Sequence, residues 1–334
     1  MGELNMANVL TVASKELSDI VRGKRFILLV AVFGLVMTAA VVTTYLSQTS
    51  GTGQPGQIGL AQGFLGAAGY SLVSMMTYFA PIMGLALGFD VISGEREKGT
   101  LKITLAQPVF RDTVINGKFL AALGAVSLAT VIVSLVEVGG STLVLGITPS
   151  SEDILRLMLF MLFVILFAMT YYGIGAFLST ATKKTSQSVI IGVVLWAAFA
   201  FIIPIIAQLV ASSLVPISFR PGGNSTFSPG SGFTPDSTYI TAMRDRSSII
   251  QMISSVSPNF HFSQIAQYVL GVYSSITMGP GGGGIGPGTG QTAQTTVSII
   301  GSLGYTWPNI LVLALATTIT FVASYLLFTR QEIR

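Results

Sequence analysis

The sequence predicts an all-α integral membrane protein with six transmembrane helices, an N-terminal interfacial amphipathic helix, and a long external segment between helices five and six. Three observations lead to this fold class. The chain of 334 residues is 51% hydrophobic and only 9% charged, and its mean hydropathy is +0.74, which is typical of membrane proteins. Six apolar stretches are each long enough to cross about 30 Å of hydrocarbon. Most charged residues lie between those stretches.

Residues 1–25 predict an amphipathic helix followed by a basic collar. Apolar residues between Met6 and Arg22 recur at helical spacing, and polar residues fall largely on the other side. This pattern favours a helix that lies in the membrane interface, and a soluble helix packed on a partner is the alternative. No secretory signal is expected, because no small-residue cleavage site follows a short apolar core. The collar consists of Arg22, Lys24 and Arg25.

The transmembrane domain is predicted to cover residues 26–334. Its spans are placed at about 26–46, 70–92, 119–147, 154–178, 189–210 and 307–328. Pro81 and Pro204 predict kinks in spans two and five. The Gly84-x-x-x-Gly88 pair would let another helix approach span two closely. The segment 212–306 begins with Pro, Gly and Ser clusters that do not pack a core.

The densest charged segment runs from Asp90 to Lys118, between spans two and three. Each charge at the centre of the hydrocarbon costs about 2.5–3.5 kcal/mol, so this segment must lie outside the bilayer. Gly99 and Pro108 bracket a predicted helix of about two turns, which the proline ends. The apolar residues of this helix, suited to docking on a partner, are Leu101, Ile103 and Leu105. The alternative is an ordinary loop whose charges only set topology.

The distribution of basic residues predicts the orientation. Six spans place both termini on one side of the membrane, and 13 of the 17 basic residues lie on that side. The positive-inside rule therefore places both termini and the 93–118 loop in the cytoplasm and segment 212–306 outside. We expect a multi-pass protein of the cell membrane.

Three blocks of the charged loop carry a further signal: Ser93–Leu101 (SGEREKGTL), Gln107–Arg111 (QPVFR) and Gly117–Phe119 (GKF). Together they resemble the first cytoplasmic loop of ABC-2-type permeases, the membrane subunits of ATP-binding-cassette transporters. The similarity is greatest to the subgroup that includes the permease serving nitrous-oxide reductase maturation. In that family this loop leads into a coupling helix that sits in a groove of a separate ATPase. The segment SPNFHFSQIAQYVLGVY also resembles a short helix that follows span five there.

The resemblance implies an exporter subunit in a dimer with a second permease copy or paralogue, with spans two and five at its centre. Two copies of a separate ATPase would bind the ATP and Mg, and this chain would hold no cofactor. Charges at 95–97 would pair with the ATPase groove, and residues 100, 101 and 105 would supply the docking face. Arg111 and Lys118 would contact phospholipid or the N-terminal helix. The implied ATPase-coupling residues are Glu95, Arg96, Glu97, Gly99, Thr100, Leu101, Leu105, Pro108 and Arg111.

Glu137 lies inside span three, and an intramembrane carboxylate is a functional-site hypothesis. It would line the transport path, bond to a neighbouring helix, or lie at the outer interface. Aromatic residues of the central spans favour a lipid-like or amphipathic cargo over a small ion, although such residues are also ordinary packing positions. The candidate pathway residues are Glu137, Phe79, Pro81, Trp196 and Phe199.

Catalysis by this chain is not expected. The absence of cysteine excludes disulfides and thiolate sites, and Gly117-Lys118 lacks the remainder of a nucleotide-binding Walker loop. His261, the only histidine, is expected to be a hydrogen-bonded interfacial residue rather than a metal ligand or base. No basic run with interleaved aromatics predicts nucleic-acid binding. An ion-coupled secondary transporter or channel is the main alternative function, and a membrane scaffold or intramembrane hydrolase is a third.

Overall fold

The computed structural model describes residues 2–49, 63–100, 110–216, 225–228, 232–235, 237–272 and 298–330. Its helices are α1 (Gly2–Arg22), α2 (Lys24–Thr49), α3 (Gly63–Gly88), α4 (Ser93–Glu97), α5 (Arg111–Leu145), α6 (Ser151–Ala181), α7 (Thr185–Ala197), α8 (Ile203–Leu214), α9 (Ser237–Ser254), α10 (Pro258–Leu270) and α11 (Ile299–Arg330). A π-helical turn, Ala198–Ile202, joins α7 to α8.

Six helical stretches in these ranges are long and apolar enough to cross a membrane, which confirms the predicted fold class. They are Lys24–Leu46, Ala68–Glu97, Arg111–Leu145, Ser151–Ala181, Thr185–Leu214 and Ile299–Arg330. The side of the membrane on which each connection lies stays a prediction.

Three helices begin well before the apolar stretches that predicted them. Helix α3 begins at Gly63 rather than near residue 70. Helix α5 begins at Arg111, so the second part of the 93–118 segment is helical rather than a loop. Asp112 lies in the first turn of α5, where a carboxylate interacts favourably with the helix dipole. Helix α11 begins at Ile299 rather than near Trp307. Hydropathy locates the hydrocarbon crossing, whereas the backbone can remain helical beyond it.

The close contact between α3 and α6 depends on the small-residue pair in span two. A Cβ atom at Gly84 would lie 2.1 Å from the Ala168 carbonyl oxygen, and one at Gly88 would lie 2.6 Å from the Tyr172 carbonyl oxygen. The backbones of the two helices therefore touch at positions where any larger side chain would separate them. Helix α3 continues through Pro81.

The segment between spans five and six contains ordered structure. Strands β1 (Ser225–Ser228) and β2 (Gly232–Pro235) form an antiparallel hairpin within the stretch that was expected not to pack. Helix α10 enters the core, where Phe262 stacks on Phe167 of α6 with ring centroids 4.3 Å apart. The short helix predicted over this segment is thus present and is part of the bundle.

Polar contacts fix α10 between three other helices. The Tyr171 hydroxyl of α6 donates to the Asn259 side-chain oxygen, and the Asn259 amide donates to the Thr77 carbonyl of α3 over 3.4 Å. His261 contacts the Asn309 side-chain oxygen of α11 and the Ser255 carbonyl, each at 2.7 Å. Both ring nitrogens of His261 therefore lie within hydrogen-bonding distance of an oxygen, and a neutral imidazole donates its single N–H to one of the two.

The helices differ greatly in how much of their surface the chain itself covers. In the most apolar 18 residues of α6, 56% of the residues are buried. In the corresponding stretches of Thr185–Leu214 and α11, only 11% are buried. The fifth and sixth spans thus present most of their apolar side chains outward, as expected of helices that face lipid or another membrane subunit.

Candidate functional site

An ionic cluster of Glu16, Glu95 and Lys118 joins three elements at one end of the bundle, which we call the α4 end. The Lys118 amine of α5 donates to Glu16 Oε2 of α1 over 3.0 Å and to Glu95 Oε1 of α4 over 2.6 Å. The Lys118 side chain is 7% exposed. A buried amine needs such partners because an unpaired charge in the interior costs several kcal/mol.

Close packing of α1 on α5 places Glu16 beside Lys118. Val12 of α1 occupies the space that a Cβ atom at Gly117 would need, at a distance of 2.6 Å. One turn further along α1, Leu17 packs over Gly124. The amphipathic N-terminal helix therefore packs along the first turns of α5, which cover part of its apolar face, while Leu10 remains exposed.

The cluster contains more negative than positive charge. Two carboxylates share one ammonium group, and Glu95 Oε2 is buried without a hydrogen-bond donor among the residues that the structure describes. A buried carboxylate oxygen in this condition is unfavourable, because it has lost water without gaining a donor. The cluster can accept one more hydrogen bond.

Helix α4 is also fixed to the turn between α6 and α7. The Arg96 guanidinium donates to the Thr182 carbonyl over 2.8 Å. Glu97 Oε1 accepts a hydrogen bond of 3.0 Å from the Thr185 backbone N–H, where its charge faces the N-terminus of α7. These two bonds connect α4 to the turn before the fifth span and to the first residue of that span.

A buried serine anchors the beginning of α4. Ser179 Oγ of α6 accepts hydrogen bonds from the backbone N–H groups of Ile92 and Ser93 at 3.0 and 2.9 Å. Ser93 Oγ lies 3.1 Å from the same oxygen. These bonds satisfy backbone N–H donors in the short connection between α3 and α4, and they hold that connection against α6.

The chain turns away from this anchored helix at Gly99. Gly99 has φ of +72°, a left-handed conformation that glycine adopts without the steric cost of a Cβ atom. The Thr100 hydroxyl donates to the Glu95 carbonyl over 3.2 Å. The predicted docking residues Leu101 and Leu105, and the implied coupling residue Pro108, lie outside the described residues.

Glu95, Arg96 and Glu97, predicted to face an ATPase, all have contacts within this chain. Their docking role stays a prediction. Lys118 contacts the N-terminal helix, which was one of its two expected partners. Arg111 lies at the other end of the loop, where its guanidinium is 3.5 Å from the Thr329 carbonyl near the end of α11. A cation is favourable there because the last carbonyls of a helix carry partial negative charge.

A second ion pair joins the basic collar to the end of span two. The Arg25 guanidinium pairs with the Asp90 carboxylate and lies 5.8 Å from the centre of the Phe89 ring. Because the arginine is well exposed, this pair contributes little stability by itself. It holds the start of α2 beside the end of α3 at the α4 end.

The structure does not gather the candidate pathway residues into one site. Glu137 is fully buried, and its Oε1 atom lies 3.0 Å from the Ser71 hydroxyl of α3. Phe79 packs on Phe33 with centroids 4.7 Å apart, and Trp196 packs edge-on against Phe201 at 5.6 Å.

Two further candidates sit in helix packing. Pro81 is buried within α3, and the Phe199 carbonyl in the π-helical turn accepts from the Ser257 hydroxyl at 3.2 Å. The described contacts do not connect Glu137 to the four other candidates. Its bond to a neighbouring helix corresponds to one of the three roles considered for it.

Sequence reasoning missed the partners that organise this end of the molecule. Glu16, Ser179, Thr182 and Thr185 were not selected, since no motif or spacing distinguishes them. One signal was present in the sequence. Lys118 comes directly before a long apolar stretch, and a buried lysine at such a position requires a hydrogen-bond acceptor. Among the described residues, no group of three or more His, Asp or Glu side chains is placed to hold a metal ion.

Comparison with known proteins gives two kinds of match. A family model described as ABC-2 family transporter protein matches residues 10–333. The chain is 29% identical over 213 residues to the probable ABC transporter permease protein NosY of Pseudomonas aeruginosa, covering 62% of this chain and 73% of that protein. It is 34% identical over 114 residues to the protein of the same description from Stutzerimonas stutzeri, covering 34% and 38% of the two chains.

Proposed function

Since this chain belongs to the ABC-2 transporter family and is a permease subunit, we propose that it is driven by a separate ATPase subunit through the 93–118 segment. The observation that carries this proposal is the position of α4. This short helix is bonded to α1 and α5 through Lys118 and to the first residue of α7 through Glu97. A force applied to the adjoining segment would reach three membrane-associated elements at once.

The proposed mechanism is alternating access. Binding of ATP and Mg to two ATPase copies would draw them together and move the coupling segment. Helix α4 would carry that movement to span five, and Lys118 would carry it to span three. ATP can drive the change only in so far as it binds one arrangement of the assembly more tightly than the other. The catalytic chemistry would reside on the ATPase, and this chain would hold no nucleotide.

The proposal includes orientation and assembly. The positive-inside rule supports cytoplasmic termini, with the α4 end facing the ATPase. The mostly unburied fifth span supports contact with a second permease copy or paralogue, although the sixth span is equally unburied. Export from the cell is proposed from family resemblance. A lipid-like or amphipathic cargo is favoured by the aromatic contacts of Phe79 and Trp196.

Ion-coupled transport is the second candidate function, and Glu137 is the observation that favours it. Its Oε2 atom is buried without a hydrogen-bond partner among the described residues, which is typical of a carboxylate that exchanges a proton or cation. Transport that continues without ATP and depends on an ion gradient would support this alternative and contradict the first proposal.

Gentle purification of the tagged protein from its native membranes tests the ATPase proposal. We expect a soluble chain with a Walker loop to co-purify and the eluate to hydrolyse ATP. Leu101→Asp should lose both the co-purifying ATPase and the ATP hydrolysis, because a carboxylate would disrupt an apolar docking face. Leu214→Asp makes the same change at the opposite end of the bundle and should retain both. Absence of any ATPase in several mild detergents would contradict the proposal, as would normal ATPase binding by Leu101→Asp.

A further inference from the structure

Helices α9 and α10 form a hairpin whose tip, residues 255–257, reaches the middle of the bundle. The Ser257 hydroxyl donates to the Phe199 carbonyl over 3.2 Å, and Phe199 is at the midpoint of the fifth span, Thr185–Leu214. The Asn259 amide donates to the Thr77 carbonyl, which is near the middle of α3. Two spans therefore place the tip close to the midplane of the bilayer.

Helix α9 passes through one half of the bilayer, the half opposite the α4 end. Its Arg246 guanidinium lies 3.5 Å from the side-chain oxygen of Gln208 on α8. Gln208 follows Phe199 by nine residues, which corresponds to about 13 Å at the rise of an α-helix. Half of the hydrocarbon thickness is about 15 Å. The residues from Arg246 to Ser255 therefore lie at the depth of the hydrocarbon.

The exposed side of α9 carries a polar line at this depth. Four polar residues recur at intervals of four, three and four, which places them on one face of a helix. All four are exposed, whereas three isoleucines of α9 at the same depth are partly buried. A helix that faced lipid would show the reverse pattern. The polar line consists of Arg244, Ser248, Gln251 and Ser255, and the isoleucines are Ile249, Ile250 and Ile253.

Gln251 is the member of the line that hydrocarbon would not accept. Its position is four residues from Ser255, about 6 Å from the tip of the hairpin. Within the described ranges its side-chain amide makes no hydrogen bond, and moving an unbonded amide from water into hydrocarbon costs about 4–8 kcal/mol. The Ser248 and Ser255 hydroxyls donate to carbonyls of their own chain. Gln251 has no such bond and therefore requires water.

We propose that the polar line of α9 borders the water-filled outer half of the transport path. Exposed polar groups at membrane depth are stable where they line an aqueous cavity. Met252 and Val256, which are 69% and 70% exposed, flank the line on one side. The face thus offers hydrogen bonds beside apolar surface, which suits an amphipathic cargo. This inference rests on the proposed transport function and orientation, and it assigns α9 to the path.

Reaction of single cysteines with a charged thiol reagent tests the proposal. The chain has no cysteine of its own, so Ser248→Cys and Gln251→Cys each introduce one thiol on the polar line. The control is Ile205→Cys, on a 57% exposed position of α8. Because α9 runs antiparallel to α8 and Arg246 is level with Gln208, residue 205 lies at a depth between residues 248 and 251.

The full-length variants are treated in native membrane vesicles made leaky by freezing and thawing, so that the reagent reaches both sides. The probe is a trimethylammonium methanethiosulfonate, and unreacted thiols are counted after denaturation. A thiol reacts as its thiolate, which forms in water and not in hydrocarbon. We therefore expect both polar-line thiols to react at least about tenfold faster than the thiol at residue 205. Serine and cysteine have nearly the same shape, so Ser248→Cys preserves the fold.

Three results would overturn the proposal. Both polar-line thiols might react as slowly as the thiol of Ile205→Cys, which would place the line in lipid. The thiol of Ile205→Cys might react as fast as the other two, which would remove the distinction between the faces. An oxidant might link two copies of Gln251→Cys by a disulfide, which would show that a second permease copy covers the line.

This experiment is separate from the test of ATPase coupling. Labelling depends on water beside α9 and needs neither ATP nor a partner subunit. Slow labelling of a permease that still co-purifies with an ATPase would overturn only the assignment of α9. Fast labelling of a permease from which no ATPase can be recovered would contradict only the coupling proposal.

Discussion

Replacing Gly84 by alanine should separate the two most closely packed helices of the bundle. The new Cβ atom would lie 2.1 Å from the Ala168 carbonyl oxygen and 2.9 Å from the Tyr172 backbone nitrogen, whereas ordinary contacts begin at 3.4 Å. Both obstacles are backbone atoms of α6, so no side-chain rotation can relieve the overlap. Helices α3 and α6 must move apart by about 1 Å, and close-packed interiors resist such a movement.

The expected cost follows from this geometry. Overpacking a well-packed interior costs about 1–3 kcal/mol, and contact with a fixed backbone places Gly84→Ala near the upper limit, at about 3 kcal/mol. Alanine has the higher intrinsic helix propensity, by about 1 kcal/mol in soluble hosts, so the substitution itself is not unfavourable to a helix. Any loss of stability must therefore come from the contact between the helices.

Thermal unfolding of the detergent-purified protein provides the assay. A loss of about 3 kcal/mol should lower the midpoint of unfolding by several degrees, on the order of 5 °C. Gly34→Ala is the matched control, because a Cβ atom at Gly34 of α2 would meet nothing within 4 Å. Equal midpoints for Gly84→Ala and Gly34→Ala would refute the close approach of α3 and α6.

Two further substitutions test how α4 is held, each by thermal unfolding. Lys118→Met should cost about 2–3 kcal/mol because it leaves the carboxylates of Glu16 and Glu95 without their shared cation; adding Glu16→Gln should recover part of that loss, and no recovery would contradict the ionic cluster. Glu97→Ala removes the acceptor for the Thr185 backbone N–H and should cost about 1 kcal/mol, typical of a lost helix cap. Unchanged stability of Glu97→Ala would show that this bond contributes nothing.

The overall fold was predictable because membrane crossing depends on local composition. Long apolar stretches predicted six spans, and six helical stretches among the described residues meet this requirement. The Gly84-x-x-x-Gly88 pair indicated a close helix contact, but its partner α6 could not be known from the sequence. The early start of α5 was missed because hydropathy locates only the hydrocarbon crossing. The burial of Lys118 was missed because one of its two partners, Glu16, lies 102 residues earlier in the chain.

At the α4 end, too, the partners of individual side chains could not be predicted from the sequence. A dense set of charges between two spans indicated a segment with a structure of its own, but most of its predicted helix, residues 101–108, lies outside the described residues. Glu95, Arg96 and Glu97 were assigned to an external partner from the family resemblance. Their partners within the chain, on α5, in the α6–α7 turn and at the start of α7, could not be read from the sequence. Such pairings are set by tertiary packing, and sequence spacing does not encode them. The apolar residues Leu101 and Leu105 keep their docking assignment as a prediction.

The most direct test of the central claim is a cross-link between the α4 end and an ATPase. The chain has no cysteine, so Thr100→Cys and Thr148→Cys each introduce a single thiol, at the α4 end and in the α5–α6 turn at the opposite end. Each variant is labelled with a thiol-reactive photo-crosslinker in native membranes, and the products are identified by mass spectrometry. We predict a cross-link to a Walker-loop protein from Thr100→Cys and none from Thr148→Cys. A cross-link only from Thr148→Cys, or none from Thr100→Cys in membranes where the complex hydrolyses ATP, would contradict the account.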